Sequence, residues 1–204
     1  QSTKHLICPL ELAGIFPNTN QTFAIKNTNA TAYTKNIKVH KSRFEADIIV
    51  EESTNKISSL LPGNHNIKNI LASYLACKNI GLSEQEICKG ISSFKGIKRR
   101  FEWVNTSSNL PIVDDYAHHP TEIKATFESV NLYNRYKQLN KKIIIWQPHK
   151  YSRTMDNLEG FKACFKGCDE LIILPVWSVA EEVREIDFAK EFTYYNTTLC
   201  AKIS

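Results

Sequence analysis

The chain has 204 residues, 42% of them hydrophobic and 23% charged, a balance that suits one large or two small globular domains with a sizeable core. Seven glycines and seven prolines exclude a collagen-like, low-complexity or largely disordered chain. Lys and Arg number 26 against 21 Asp and Glu, and the resulting net charge of +5 is spread along the chain and implies no nucleic-acid partner.

Residues 1 to about 60 carry Pro9, Gly14, Pro17 and many Asn and Thr between short β-prone stretches, among them Ile37–Val39 and Phe44–Val50. This reads as small-sheet material without a free-standing core. From Asn66 to Ile80, apolar Ile67, Ile70, Leu71, Tyr74 and Leu75 recur at helical spacing, and Gly81 supplies a stop. Ser83 and Glu86 form a capping box for a second helix through Ile87, Ile91 and Phe94.

After Gly96 the pattern alternates. Strands are expected near Phe101–Val104, at Ile112–Asp114, at Lys142–Trp146 and at Leu171–Leu174, with helices from Pro120 to about Leu139 and from Asp156 to Phe165. A weaker helix, Asp187 to Phe192, follows the last clear strand. The order predicts an α/β fold with a parallel, two-sided sheet and a boundary near Lys95. Gln1 to Leu12 lacks the pattern of a signal peptide, and no apolar run approaches the roughly 20 residues that span a membrane. The expectation is a soluble, unexported chain without membrane insertion. Six cysteines without C-x-x-C spacing, three of them within helical apolar patterns (Cys77, Cys88, Cys164), point to free thiols in a reducing compartment.

Ligands of parallel α/β sheets gather beyond the carboxyl ends of strands, and two polar clusters stand there. The first is Asp114-Asp115-Tyr116-Ala117-His118-His119-Pro120-Thr121-Glu122. Its two acids and two imidazoles suit a divalent metal, as in a metal-dependent hydrolase; equally, Pro120 and Glu122 suit the first turn of a helix while one acid bonds backbone or a ribose. The second is Gln147-Pro148-His149-Lys150-Tyr151-Ser152-Arg153, where Lys150 and Arg153 can meet a carboxylate or phosphate, or decorate a surface loop. A third cluster, Leu61 to Asn69, puts Asn66 and Asn69 on one helix face, where amides could read a purine edge or Asn66 could cap the helix. The basic run Lys95, Lys98, Arg99 and Arg100 reads either as a solvated connector or as a source of a phosphate-facing arginine.

Taken in order, Pro62-Gly63-Asn64-His65-Asn66-x-x-Asn69, Gly96-x-x-Arg99-Arg100-Phe101-Glu102 and the two clusters at 114–122 and 147–153 closely resemble the Mur ligases, from about Thr31 to about Ala189. Within that family the resemblance is to the branch that joins L-alanine to UDP-N-acetylmuramate. It implies a cytoplasmic, ATP-dependent, ADP-forming amide ligase of bacterial peptidoglycan synthesis, in which ATP phosphorylates a carboxylate and an amine attacks the acyl phosphate. It also implies a Rossmann-like, mostly parallel C-terminal domain at 96–204, preceded at 1–95 by a β-rich and helical remnant of the central ATP-binding domain. By resemblance, Asn66, Asn69, Arg100 and Asp115 bind ATP, with Arg100 near the phosphates as the catalytic candidate. Tyr116, His118, His149, Lys150 and Arg153 face the amino acid and the muramoyl group.

Two positions depart from the family pattern. Lys150 stands where an arginine is expected, keeping the charge but losing the bidentate fork, and Ala180-Glu181-Glu182 stands where Gly-Glu-Glu is common. The chain contains no G-x-x-x-x-G-K-[ST] phosphate loop. The resemblance implies magnesium ligands outside the chain and a fragment that is inactive alone. Rivals are the related ligase that adds a ready-made peptide to the same sugar nucleotide, and a non-catalytic nucleotide-binding module.

Overall fold

The computed structural model describes residues 5–40, 43–104, 110–137 and 141–200. They fall into two compact units, Gln1–Val113 and Asp114–Ser204. The geometric division thus lies after the expected turning point near Lys95. Gly96 shows why: it adopts φ 100°, and a Cβ there would stand 3.1 Å from Leu61 Cδ2, so the connector lies against the first unit.

The first unit holds a five-stranded sheet in the order β1-β2-β3-β4-β5, from β1 (Ile7–Pro9), β2 (Gln21–Ile25), β3 (Ala32–His40), β4 (Arg43–Val50) and β5 (Ser53–Ser59). β1, β2 and β3 run parallel, while β3, β4 and β5 are antiparallel. Alternation in β4 buries Phe44, Ala46 and Ile48 on one face. Two helices complete the unit, α1 (Asn64–Asn79) and α2 (Glu84–Ser93). Ile67, Leu71, Tyr74 and Leu75, one helical stripe, are fully buried. The predicted capping box is present: Ser83 Oγ accepts from Glu86 N, and Glu86 Oε2 accepts from Ser83 N at 2.9 Å. The sheet of the first unit is closed by these two helices, whose Ile67, Leu71, Tyr74, Leu75 and Ile87 are buried, in keeping with small-sheet material that has no free-standing core.

A two-stranded sheet pairs β6 (Glu102–Val104) with β7 (Ile112–Asp114). This corrects the expectation that Ile112–Asp114 joins the parallel sheet. Neighbouring strands close a short loop at low entropic cost, and that local pairing satisfies β7.

The second unit is built on a parallel three-stranded sheet, β10-β9-β8, from β8 (Ile143–Trp146), β9 (Glu170–Ile173) and β10 (Thr197–Leu199). Around it stand α3 (Pro120–Lys137), α4 (Tyr151–Asp156), α5 (Leu158–Cys164) and α6 (Phe188–Glu191). Trp146 centres the core, its ring 4.7 Å from Phe161, 5.2 Å from Phe165 and 5.7 Å from Phe192. On β8 the alternate residues Ile143 and Ile145 are exposed, so the sheet does not show the expected cover on both faces. The helix expected at Asp156–Phe165 is α5, and the short α4 that precedes it was not expected as a helix; the two part at Asn157, whose Nδ2 donates to Arg153 O at 3.0 Å. The threonine-rich β10 carries no apolar alternation and was not anticipated. All six cysteines are unpaired, and no described helix is long and apolar enough to cross a membrane.

Candidate active site

Three of the candidate residues lie in the first unit. Gly63, at φ 102°, occupies the N-cap of α1, and Asn66 sits in the first turn with its Nδ2 donating back to Pro62 O at 2.8 Å. Asn66 therefore is not the helix cap. Asn69, one turn on, is exposed. The basic run is a folded turn, with Arg100 N donating to Ile97 O at 3.1 Å and Arg99 N donating to Glu102 Oε2 at 2.8 Å. Arg99 and Phe101 take left-handed φ of 57° and 51°. Phe101 is buried and meets Trp103 edge-on at 5.6 Å, which leaves the Arg100 side of the turn at the surface.

The other six lie in the second unit. Asp115 Oδ1 accepts from Ala117 N at 2.8 Å, an Asx turn that bends the chain after β7. His118 Nδ1 donates to Tyr116 O at 2.9 Å, and the two rings meet edge-on at 5.0 Å. Glu122, in the first turn of α3, accepts from His118 N at 3.1 Å and His119 N at 3.3 Å and so caps the helix. His119 Nδ1 accepts from Thr121 N at 3.3 Å. These backbone duties disperse the acids and imidazoles: among the described residues no three His, Cys, Asp or Glu side chains converge on a metal position.

The second cluster follows β8, a strand of the parallel sheet, and its end is helix α4 rather than a loop. Lys150 turns the chain at φ 69°, its carbonyl accepting from Thr154 N at 3.2 Å and Thr154 Oγ1 at 2.8 Å. Arg153 Nη1 then donates to His149 Nδ1 at 3.2 Å. A guanidinium only donates, so His149 Nδ1 carries a lone pair and the ring is the neutral Nε2–H tautomer. Burial first, and then the charges of Arg153, His118 and Lys150, push the His149 pKa down. The His118 and His149 rings stand 5.9 Å apart. Tyr116, His118, His149 and Arg153 thus form one contiguous group.

Trp177 completes this group and was not among the sequence candidates. Its ring meets His149 edge-on at 5.3 Å, its N–H donates to Pro148 O at 2.8 Å, and its carbonyl accepts from Lys150 N at 2.9 Å. The signal was positional: Trp177 follows the carboxyl end of β9, beside the strand that delivers His149.

Comparison with known proteins gives the group its context. Residues 11–77 match the Mur ligase middle domain, and residues 99–198 match the Mur ligase glutamate ligase domain. The UDP-N-acetylmuramate–L-alanine ligase of Helicobacter pylori is 48% identical over 143 residues, 69% of this chain and 31% of that protein. The ligase of the same name from Campylobacter curvus is 44% identical over 119 residues, 58% of this chain and 27% of that protein. Against such relatives the chain spans about a third of their length or less. In fold it resembles the crystal structure of UDP-N-acetylmuramate-alanine ligase MurC from Thermotoga maritima, with TM-score 0.68 and 20% identity over 89% of this chain and 40% of that one. A murein peptide ligase from Psychrobacter arcticus is similar too, with TM-score 0.63 and 20% identity over 99% of this chain and 44% of that one. With both domain matches in the same order as the motifs at Asn66, Arg100, Asp115 and His149, the chain belongs to the Mur ligase family.

Proposed function

We propose that these residues are part of a cytoplasmic, ADP-forming ligase that joins L-alanine to UDP-N-acetylmuramate at the expense of ATP. Residues 1–95 are assigned to the end of the middle domain and 96–204 to the C-terminal domain. The observation that carries the reading is the group beyond β8, in which Arg153 is bonded to a neutral His149 beside His118 and Tyr116. A guanidinium fixed by one N–H keeps further donors for the carboxylate of a small amino acid, and a neutral His149 adds no positive charge beside the incoming amine. Lys150 adds a cation at the same edge. Asn66, Asn69, Arg100 and Asp115 are assigned to ATP, Arg100 to its phosphates.

Catalysis by such an arrangement is positioning plus charge stabilisation: the amine is held against an acyl phosphate while cations balance the phosphoryl oxygens. Magnesium is expected in the reaction, held by residues outside this chain. The peptide-adding relative shares the fold at the same 20% identity as the alanine-adding one, so fold does not separate the two. The identities of 48% and 44% to alanine-adding ligases favour L-alanine.

The test is ADP release by a full-length ligase carrying these residues. Release that requires UDP-N-acetylmuramate and L-alanine together supports the proposal; release with a peptide but not with L-alanine refutes it. The 204-residue chain alone, which has no phosphate loop, is expected to release none.

A further inference from the structure

Glu181 reaches α4 from a different strand connection. After β9 the chain folds back: Trp177 is bonded to both Pro148 and Lys150, and Glu181 N donates to Ser178 O at 3.1 Å to close a turn. Within that turn Val179 and Ala180 both take left-handed φ, 49° and 64°. Neither residue favours this region, and two in succession persist only where the surroundings hold them. The turn aims the Glu181 carboxylate at the start of α4. Its Oε2 accepts from Ser152 N at 3.2 Å and its Oε1 from Ser152 Oγ at 2.5 Å.

Helix α4 needs this. It has six residues, its N-cap Lys150 makes no side-chain cap bond, and its first turn contains no acid. A helix that short is marginal by itself, and its first N–H groups lack intrahelical partners. Arg153, which bonds His149, directly follows Ser152. We infer that Glu181 is a positioning residue, which caps α4 through Ser152 and thereby sets the Arg153 guanidinium against His149. The Ser152 hydroxyl bond also holds the Glu181 carboxyl below the usual carboxylate range, so the capping form is the charged one at neutral pH. Only the consequence for L-alanine rests on the proposed function; the coupling of Glu181 to His149 does not.

The experiment is 15N NMR of the His149 ring in the 204-residue chain, assigned with His149→Gln, with thermal melting alongside. Glu181→Ala is expected to lose the hydrogen-bonded Nδ1 signal of His149 and give a tautomer mixture, while Glu182→Ala keeps the native signal. Glu181→Gln removes the same charge as Glu181→Ala but keeps an oxygen for Ser152 N and an N–H₂ for Ser152 Oγ, so it should retain the native signal. A folded Glu181→Ala with the native His149 signal overturns the inference, as does a Glu181→Gln that loses the signal as fully as Glu181→Ala. If Glu181→Ala does not fold, Ser152→Ala carries the test: a weakened Nδ1 signal in a folded chain supports the inference, and an unchanged one overturns it. In the full-length ligase, Glu181→Ala should raise KM for L-alanine several-fold with KM for ATP unmoved. A changed His149 signal with unchanged alanine kinetics would leave Glu181 as the positioning residue and remove Arg153 from the amino-acid site.

Discussion

Arg153 donates to His149 Nδ1 across 3.2 Å, and this one bond fixes the imidazole tautomer and the direction of the guanidinium together. Its partners come from the carboxyl end of β8 and from a short helix, so the geometry depends on the backbone turn at Lys150 as much as on the two side chains.

The bond has a pH consequence. Burial, then Arg153, His118 and Lys150, depress the His149 pKa below its ordinary 6.5, whereas Glu181 opposes them. The unfolded chain therefore takes up the proton first. The stability contributed by neutral His149 is present above the unfolded value and is lost as pH falls through the folded one. NMR titration should find His149 with its midpoint below 6.5. Arg153→Ala should move that midpoint up, and a midpoint unmoved by the substitution would contradict the electrostatic account.

Gly160 on α5 lies against the first residue of α3. A Cβ there would stand 2.9 Å from Pro120 Cγ and 3.0 Å from its Cβ, and a proline ring at a helix start has little room to yield. Gly160→Ala gains about 1 kcal/mol of helix propensity but incurs an overpacking cost of about 1–3 kcal/mol. A net fall in Tm is expected, recovered in part by Pro120→Ala. A Tm at or above the native value in the single variant would show that α3 and α5 do not approach so closely.

Ala180 sits at φ 64°, where a non-glycine residue costs roughly 1–2 kcal/mol. Glycine also loses about 0.5–1 kcal/mol more entropy on folding, so Ala180→Gly should stabilise by no more than about 1.5 kcal/mol. Denaturant unfolding should show a higher midpoint with the same slope. A lower midpoint would mean that this turn is not left-handed.

The two asparagines of α1 should separate. Asn66 bonds Pro62 O within the helix start, so Asn66→Ala should cost about 1 kcal/mol of stability. Asn69 is exposed, and Asn69→Ala should change stability by less than about 0.5 kcal/mol. In the full-length ligase, Asn69→Ala and Asp115→Ala should each raise KM for ATP several-fold, and unchanged ATP dependence in both would remove them from the nucleotide site.

Much of this was legible in the sequence where local chemistry decides structure. The stripe through Ile67, Leu71, Tyr74 and Leu75, the Ser83–Glu86 box and the strand at Ile143–Trp146 are set by spacing alone. The departure at Ala180 pointed to a backbone question, and the structure puts it in the left-handed region. What spacing did not reveal depends on contacts between distant segments. α4 is too short for a periodic signal and is capped by Glu181 from beyond β9, and Trp177 reaches His149 through the pairing of β8 with β9. β7 pairs with its neighbour in sequence instead of entering the parallel sheet, a choice its three residues do not encode.

The central claim is that the group around Arg153 receives L-alanine, and steady-state kinetics of the full-length ligase with Arg153→Ala test it most directly. Loss of a charge-assisted hydrogen bond to a carboxylate costs roughly 1.5–3 kcal/mol, or about ten- to a hundredfold in kcat/KM for L-alanine. The account predicts that loss with KM for ATP within about twofold of native, and near-native behaviour for Lys150→Arg, which restores the fork at the neighbouring cation. Native alanine kinetics in a folded Arg153→Ala enzyme would contradict it.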